Sequence, residues 1–479
     1  MSTNIDIDMQ KNSIPNDVKH IHLIAICGTA MAALACMLKA YGYHVTGSDQ
    51  KVYPPMSDFL IQQGITLQDG FHEDNLKNRP DLVVIGNAVF KTNPEVVMMN
   101  QLGLHFCSMP QALNHFIAKQ KQTILITGTH GKTTTTALMA WVLDVANLDP
   151  SLMVGGIANN FNSNYRLGKG NYMVIEGDEY DTAFFDKAAK FFHYKPAITL
   201  LTSIEFDHAD IYKDIDHIKD TFAKLIQGLS SDSLLISYEA DSNITELRSK
   251  ASCMVHGYGT TSDAIWQLTE IQFQPPWSLF SILKDGNHFG TFRTRMMGEH
   301  NLLNATAVIA ASHALQIPNQ VMATALETFK GVKRRQEVRG EKNGITVMDD
   351  FAHHPTAVRE TIKAVKPFYS KGRVIAVFEP RTNTSMRDVF QHSYPDAFLQ
   401  ADMVCIRKPP LLEKIPSTMR FSSEQLVMDI RQQGKDAHFF EDTDQIIHFV
   451  CKEARPGDLI LIMSNGGFDH IHDRLLAAL

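Results

Sequence analysis

A glycine-rich segment at residues 127–134, Thr-Gly-Thr-His-Gly-Lys-Thr-Thr, lies between an apolar run and a stretch whose apolar residues recur at helical spacing. The backbone N–H groups of such a turn, together with a helix N-terminus, bind phosphate. Lys132 would reach the β- and γ-phosphates, and the Thr133 hydroxyl would bind Mg²⁺. The full Walker A motif has another glycine where this chain has Ile126, so the match is to the shorter Gly-Thr-x-Gly-Lys-Thr form. The alternative is a purely structural glycine turn. The segment predicts a nucleotide site formed by Gly128, Thr129, His130, Gly131, Lys132, Thr133 and Thr134.

Acidic residues follow two further apolar runs. Glu176 comes directly after residues 172–175, and the cluster Glu-Phe-Asp-His-Ala-Asp at 205–210 comes after residues 197–202. The carboxyl ends of parallel strands meet at one edge of a sheet, and carboxylate and hydroxyl oxygens suit Mg²⁺. We predict that Thr133, Glu176 and His208 hold the metal. The alternatives are a solvated acidic turn and a structural histidine.

Two asparagines and a basic run extend the nucleotide prediction. Asn301 and Asn304 are three residues apart at the start of an apolar helical stretch, so they share one helix face. Their amides would pair with an adenine edge, and helix capping is the alternative. Arg335, in the run Lys-Arg-Arg at 333–335, would reach phosphate across a cleft, and a solvated basic linker is the alternative.

A polar turn at 348–355, Met-Asp-Asp-Phe-Ala-His-His-Pro, joins an apolar run to a predicted helix with Pro355 at its first position. Asp350 and His353 would point from this turn into the space between two folded units. His353 is a candidate general base, because an unperturbed imidazole titrates near neutrality.

The elements that must position these residues form three successive α/β units, predicted at 1–118, 119–335 and 336–479. The first opens with an apolar run at 20–26, a turn at Gly28 and helical spacing from Met31 onward. Its second strand ends at Asp49, about 20 residues after the turn, where Rossmann-like folds place a residue that contacts ribose. A strand that simply ends in a polar turn is the alternative.

Length and composition exclude several classes of protein. The 479 residues include 44% hydrophobic and 20% charged residues, as in ordinary globular proteins. A net charge of −7 argues against a protein that coats nucleic acid or anionic lipid. Six scattered cysteines form no CxxC pair, and the polar N-terminal segment lacks the apolar core of a secretory signal. We therefore expect a cytoplasmic protein without membrane insertion, and its oligomeric state stays open.

Taken together, these motifs resemble the Mur ligases. The resemblance covers essentially the whole chain and rests on the order and spacing of residues 128–134, Glu176, 207–208, 300–304, 334–335 and 349–355. It implies a Rossmann-like first domain, a central P-loop ATPase domain and a Rossmann-like C-terminal domain, with ATP and Mg²⁺ as cofactors. It also implies that Asp350 contributes to the ATP site, and that Gly28, Thr29, Ala30, Met31 and Asp49 bind a UDP-sugar. The turn at Gly28 has fewer glycines than is usual in the family.

Within the family, residues 52–57, 205–212, 379–381 and 463–468 resemble the branch that joins UDP-N-acetylmuramate to the recycled tripeptide L-alanyl-γ-D-glutamyl-meso-diaminopimelate. The resemblance implies an acyl phosphate made from ATP and the sugar carboxylate, followed by attack of the peptide amine. Lys132, Arg335 and His353 would be the catalytic residues. The tripeptide carboxylates need cationic or amide partners, which points to Arg381, Arg387 and Asn465. For Arg387 above all, pairing with surface acids is the alternative.

Three other functions stay open at this point. They are the related ligase that adds L-alanine to UDP-N-acetylmuramate, a small-molecule kinase that uses the same loop, and a non-enzymatic nucleotide switch. Two separate α/β units each carry a ligand-type turn, whereas a simple switch needs only one. This favours the ligase.

Overall fold

The first unit is a parallel five-stranded sheet flanked by helices in a computed structural model that describes residues 6–50, 52 and 56–479. Residues 53–55, part of the segment 52–57 cited for the resemblance, lie outside the described residues. The strand order is β3-β2-β1-β4-β5. The strands are β1 (His20–Ile24), β2 (His44–Asp49), β3 (Thr66–Asp69), β4 (Leu82–Ile85) and β5 (Phe106–Ser108), and the helices are α1 (Thr29–Ala40), α2 (Met56–Gln62), α3 (Pro94–Gln101) and α4 (Met109–Phe116).

The second unit is a ten-stranded sheet ordered β17-β16-β15-β14-β13-β12-β6-β9-β7-β8. The predicted runs at 123–127, 172–175 and 197–202 are the neighbouring strands β6, β9 and β12, in parallel register. The strands are β6 (Gln122–Thr127), β7 (Ser151–Ala158), β8 (Ser163–Arg166), β9 (Tyr172–Gly177), β12 (Pro196–Leu201), β13 (Leu234–Tyr238), β14 (Met254–Gly259), β15 (Trp266–Gln274), β16 (Trp277–Lys284) and β17 (Asn287–Thr294), with a separate hairpin of β10 (Asp181–Ala183) and β11 (Asp186–Ala189). The helices are α5 (Lys132–Val145), α6 (Ile215–Gln227), α7 (Ser242–Arg248), α8 (Glu299–Ala314) and α9 (Asn319–Thr328).

The third unit is a six-stranded sheet ordered β18-β19-β23-β20-β21-β22, parallel except for β18. The apolar runs of the sequence at 345–348, 373–378 and 458–463 form three neighbouring inner strands, and the last run pairs with both others. The strands are β18 (Glu337–Lys342), β19 (Ile345–Asp350), β20 (Val374–Phe378), β21 (Met403–Arg407), β22 (Asp436–Phe440) and β23 (Leu459–Met463), and the helices are α10 (Pro355–Val365), α11 (Tyr394–Ala397), α12 (Ser423–Gln432), α13 (Thr443–Glu453) and α14 (Ile471–Ala478).

The three α/β units confirm the predicted fold class, and the exact domain limits stay a prediction. Each central strand is apolar and flanked on both sides, as parallel strands covered by helices are. In the second sheet, Thr127 pairs with Gly177 and the end of β12 lies beside the end of β6. The glycine-rich segment, Glu176 and residues 205–210 therefore leave the sheet at one edge. None of the helices in the described residues has both the length and the apolarity needed to cross a membrane.

Two glycines of the first unit, Gly47 in β2 and Gly28 before α1, differ in the space around them. A Cβ on Gly47 would lie 2.5 Å from Ile26 Cδ1 and 2.7 Å from the Leu23 carbonyl oxygen. A Cβ on Gly28 would meet nothing nearer than the Ala25 carbonyl oxygen at 3.5 Å, and Gly28 has a negative φ. The tight approach in this unit is thus between strands, and the turn at Gly28 has room.

We expect Gly47→Ala to destabilise the protein by about 1 to 3 kcal/mol, because the added methyl group overpacks the contact between β1 and β2. Gly28→Ala is the matched control and should cost less than about 1 kcal/mol, the scale of a weakened helix N-cap. Thermal unfolding of both variants measures the difference. Equal losses in the two variants would contradict the steric argument.

Candidate active site

The glycine-rich loop has the backbone geometry that its sequence requires. Gly128 and Gly131 have φ values of +126° and +80°, a region that favours glycine. A Cβ on Gly128 would lie 2.4 Å from Thr202 Oγ1. The N–H groups of Thr129 and His130 donate to the Ser203 carbonyl and hydroxyl oxygens, both at 2.9 Å. The loop is therefore held against the segment that follows β12, with α5 beginning at its end.

Lys132 at the start of α5 is held by a carboxylate that the sequence analysis did not single out. Its Nζ lies 2.8 and 3.0 Å from the two carboxylate oxygens of Glu179 and donates to the Gly128 carbonyl at 2.5 Å. Burial alone would lower the pKa of Lys132, but Glu179 and Asp178 outweigh it and raise that pKa above its usual value. Glu179 is 2% exposed. A buried, charged pair thus occupies the place where phosphate is expected.

The predicted metal residues fall into two neighbouring groups. Thr133 Oγ1 donates to Glu176 Oε1 at 2.9 Å, and the other oxygen of Glu176 accepts the Gly155 N–H at 2.7 Å. His208 lies instead with Glu179, whose Oε1 is 3.3 Å from His208 Nε2, and with Asp178. The structure brings Thr133 and Glu176 together and places His208 on the Glu179 side of Lys132.

The charges around His208 are coupled. Burial would lower the pKa of His208, but hydrogen bonding to Glu179 and the charge of Asp207 raise it. Burial would raise the pKa of Asp178, but Lys190 and Lys132 hold it at about 2. Asp178 is therefore ionised at neutral pH, beside a histidine whose protonated form is favoured. These oxygen and nitrogen atoms could hold a cation once His208 loses its proton.

Asn301 and Asn304 line the cleft, and neither caps α8. The helix N-cap is Gly298, which makes no side-chain cap hydrogen bond. Asn301 Nδ2 donates to the Met297 carbonyl at 2.9 Å, and Asn304 Oδ1 lies 2.7 Å from where a Cβ on Gly131 would be. Asn304 therefore packs directly against the glycine-rich loop, and both asparagines line the cleft.

Adjacent arginines at the junction of the second and third units point in different directions. Arg334 donates to the carbonyl oxygens of Ser464 and Gly466 at 2.6 and 2.7 Å, within the third unit. Arg335 faces the cleft, with its guanidinium 4.4 Å from the centre of the Phe351 ring. Burial lowers the pKa of Arg335, although the nearby carboxylates of Asp350 and Glu176 oppose this. The cation predicted to face phosphate therefore lies in the cleft.

The turn after β19 places Asp350 and His353 in the same cleft. Asp350 accepts the N–H groups of Gln336 and Ala352, both at 2.8 Å, and burial raises its pKa. His353 Nδ1 lies 3.0 Å from the Phe351 carbonyl oxygen, and its Nε2 lies 3.7 Å from Asp207 Oδ2. Both ring nitrogens face oxygen acceptors. A base would need one of these nitrogens free.

Residues 205–210 of the second unit form hydrogen bonds with the third unit. Glu205 Oε2 accepts the Thr356 hydroxyl at 2.7 Å, and the Ala209 N–H donates to Thr384 Oγ1 at 3.1 Å. The units enclose a cavity of about 1260 Å³ lined by the glycine-rich loop, Glu176, residues 300–304 and the turn at 350–354. One site is therefore formed by segments that are far apart in the sequence and belong to two different units.

The residues predicted to bind the UDP-sugar lie at the start of α1 and, for Asp49, at the end of β2, outside this cavity. Gly28, Thr29 and Ala30 are exposed, whereas Met31 is buried. Asp49 Oδ2 accepts the Cys27 N–H at 2.9 Å, so this carboxylate braces the turn between β1 and α1. The exposed N-terminus of α1 has the open N–H groups that favour a diphosphate.

The predicted peptide residues cluster at the carboxyl edge of the third sheet, also outside the cavity. Arg381 packs on Gly466, and its Nη1 is 3.6 Å from Glu379 Oε1. In the described part of the chain, Arg387 Nε and Asn465 Oδ1 are buried without a hydrogen-bond partner. Both atoms are enclosed by the fold, whereas about a third of the Arg381 side chain is exposed at this edge.

The sequence matches three family models in succession: the Mur ligase family catalytic domain at residues 20–121, the Mur ligase middle domain at 126–312 and the Mur ligase glutamate ligase domain at 334–466. The chain belongs to the Mur ligase family.

Similar proteins of this family cover nearly the whole chain. The UDP-N-acetylmuramate–L-alanyl-γ-D-glutamyl-meso-2,6-diaminoheptandioate ligase of Escherichia coli is 38% identical over 96% of this chain and 98% of its own length. The UDP-N-acetylmuramate–L-alanine ligase of Clostridium tetani is 35% identical over 94% of this chain and 96% of its own length. A murein peptide ligase structure from Psychrobacter arcticus aligns with a TM-score of 0.70 at 33% identity, covering 96% of this chain and 98% of that one.

We expect Lys132→Ala and Glu176→Ala each to lower turnover by roughly a hundredfold or more, because both side chains would act on charge that develops during phosphoryl transfer. Steady-state ADP release at saturating substrates measures this. Lys408→Ala and Glu441→Ala are matched controls, since they break an exposed ion pair of 2.8 Å in the third unit. Near-normal turnover in the Lys132 or Glu176 variant, with unchanged Mg²⁺ dependence, would exclude these roles.

Proposed function

We propose that this chain is an ATP-dependent ligase that joins UDP-N-acetylmuramate to the tripeptide L-alanyl-γ-D-glutamyl-meso-diaminopimelate, in the recycling of peptidoglycan. One observation carries the proposal: the cleft between the second and third units holds a phosphate-type loop, a hydroxyl–carboxylate pair and a polar turn from the third sheet. The name and 38% identity of the Escherichia coli relative support the choice of substrates.

The chemistry needs these parts because a carboxylate is a poor electrophile. In the proposed reaction, the sugar carboxylate attacks the γ-phosphorus of ATP, and the bond from that phosphorus to the β-phosphate oxygen breaks. ADP is released, and the sugar now carries an acyl phosphate. The peptide amine then attacks the acyl carbon, phosphate leaves, and the amine loses a proton. Two anions must meet in the first step, so cations around the phosphates lower its barrier.

The loop and its neighbours would bind ATP. The N–H groups of residues 131–134, at the end of the loop and the start of α5, would hold the phosphates, and Lys132 would exchange Glu179 for phosphate oxygens. Asn301 and Asn304 would read the adenine, since both amides line the cleft beside the loop. Asp350, held by two backbone N–H groups, would accept a hydrogen bond from the nucleotide.

The oxygen atoms of Thr133 and Glu176 are suitable ligands for Mg²⁺. Thr133 and Glu176 bring a hydroxyl and a carboxylate oxygen within 2.9 Å of each other, and His208 sits among Asp178 and Glu179 on the other side of Lys132. Bound there, Mg²⁺ would neutralise phosphate charge. The chain itself contributes the orientation of these donors, which the Gly155 N–H fixes for Glu176.

Arg335 and His353 would act as the cleft closes. Arg335 would add positive charge beside the transferring phosphoryl group, because it already faces the cleft next to Glu176 and Asp350. His353 would take the amine proton once its Nε2 is free of Asp207. The exposed residues Gly28, Thr29 and Ala30 at the start of α1, with the buried Met31 and with Asp49 at the end of β2, would bind the UDP part of the sugar.

The second candidate is the ligase that adds free L-alanine, supported by 35% identity to the Clostridium tetani enzyme. The two candidates share every part of the nucleotide site and differ in the amine that the third unit admits. The partly exposed guanidinium of Arg381 at the carboxyl edge of the third sheet favours an amine that carries several carboxylates.

An ADP-release assay with UDP-N-acetylmuramate, offering tripeptide, L-alanine or no amine, tests the function. We expect release that depends on both the sugar and the tripeptide, with kcat/KM for the tripeptide at least about tenfold above that for L-alanine, a difference of about 1.4 kcal/mol. A preference for L-alanine would replace the first candidate with the second. ADP release that makes a stable phosphorylated product and no amide would indicate a kinase.

We expect Arg381→Ala to reduce kcat/KM for the tripeptide by about 2 kcal/mol, the scale of a lost hydrogen bond between charged groups. The KM for ATP should stay nearly unchanged, because Arg381 lies outside the nucleotide cavity. Arg431→Ala is the matched control, since Arg431 in α12 bonds only the Ala437 carbonyl among the described contacts. Equal tripeptide kinetics in Arg381→Ala and the wild type would remove Arg381 from the peptide site.

A further inference from the structure

Three side chains of the type that ligates metals converge at the wall of the cleft, away from Glu176 and His208. They are His130 of the glycine-rich loop, Glu205 after β12 and His354 before α10. His130 Nε2 lies 3.4 Å and His354 Nδ1 lies 3.6 Å from Glu205 Oε2. All three ligand atoms lie within 4.8 Å of one another, so small side-chain shifts would bring them around one ion.

The two histidines are already oriented for such a role. Among the described residues, His130 Nε2 is buried and makes no hydrogen bond of good geometry. His354 Nε2 lies 3.2 Å from the Phe206 carbonyl oxygen, so its N–H donates there and its Nδ1, 3.6 Å from Glu205 Oε2, is the ring nitrogen that carries the lone pair. A ligating histidine commonly donates its other ring N–H to a backbone carbonyl in this way.

We propose that His130 Nε2, Glu205 Oε2 and His354 Nδ1 form a site for a borderline transition-metal ion such as Zn²⁺. Two imidazoles and one carboxylate suit Zn²⁺ or Co²⁺, whereas Mg²⁺ prefers oxygen ligands in octahedral geometry. Three protein ligands leave a fourth position open to water or an anion. The site is separate from the Thr133–Glu176 pair and from the cluster of Asp178, Glu179 and His208.

A bound ion would connect two units of the molecule. His130 belongs to the nucleotide-binding loop, and His354 precedes the first helix of the third sheet. His354 Nδ1 now accepts the Thr356 N–H at 3.2 Å, and the ion would take over this lone pair. Because the ion would tie the loop to the third unit, Zn²⁺ should slow any process that requires the cleft to open.

The test uses the full chain with saturating Mg²⁺ and no substrate. Co²⁺ is added as a spectroscopic probe, and Zn²⁺ affinity is measured by calorimetry. We expect one Co²⁺ per chain, with visible absorption bands that Zn²⁺ abolishes. His354→Asn and Glu205→Gln should weaken binding by roughly a hundredfold or more, since even the loss of an outer partner costs about 10- to 100-fold. Asn is a good N-cap, so the first variant keeps the start of α10.

The matched control is His208→Asn, which removes the histidine of the other cluster and should leave the bands unchanged. Circular dichroism and the thermal midpoint verify the fold of each variant. Bands that vanish in His208→Asn and persist in His354→Asn would place the ion at the other cluster and overturn the proposal. Failure of the wild type to bind Co²⁺ or Zn²⁺ in the presence of Mg²⁺ would also overturn it. Neither result depends on which reaction the protein catalyses.

Discussion

The contact between the glycine-rich loop and residues 202–205 is the constraint on which the rest of the site depends. Gly128 leaves no room for a side chain against Thr202, and Ser203 accepts N–H groups from the next two loop residues. Thr129 Oγ1 in turn accepts the Glu205 N–H at 2.8 Å. This packing fixes where residues 205–210 leave the sheet. It therefore also places His208 beside Glu179, and it places Glu205 against the third unit.

The buried charges of the cleft are paired with one another. A buried lysine with no counter-charge would be costly, and Glu179 supplies that charge through both of its oxygens. Asp178 is balanced in the same way by Lys190 at 2.5 Å. An incoming phosphate therefore competes with an internal carboxylate for Lys132, so nucleotide affinity reflects the difference between two strong interactions rather than either one.

The strands and the glycine-rich loop could be predicted from the sequence, because both depend on local residue patterns. Apolar runs bounded by turns predicted the neighbouring strands β6, β9 and β12, and the glycine spacing predicted the loop between β6 and α5, in which the structure shows positive φ at Gly128 and Gly131. Contacts between distant segments could not be read in this way. Glu179 lies in an acidic stretch just after β9, and nothing in the local sequence indicates that its side chain reaches back to Lys132.

The same limit applies to the asparagines and the arginines. Capping was a fair alternative for Asn301 and Asn304, and only the position of Gly298 as N-cap showed it to be wrong. Adjacent arginines looked equivalent in sequence, but Arg334, with a φ of +61°, directs its side chain to the third sheet while Arg335 faces the cleft. Side-chain direction at such a junction is set by backbone torsion, which composition does not reveal.

That junction also constrains how the chain can change in length. The carbonyl oxygens of residues 464 and 466 hold one guanidinium, and the ring of Phe351 lies against the next. An inserted or deleted residue at 334–335 would rotate the chain and withdraw one cation from its partners, even if both sheets stayed intact. The segment between the second and third units is therefore no interchangeable spacer: its register is part of the site, and grafting a third unit from a relative requires this dipeptide to be transferred with it.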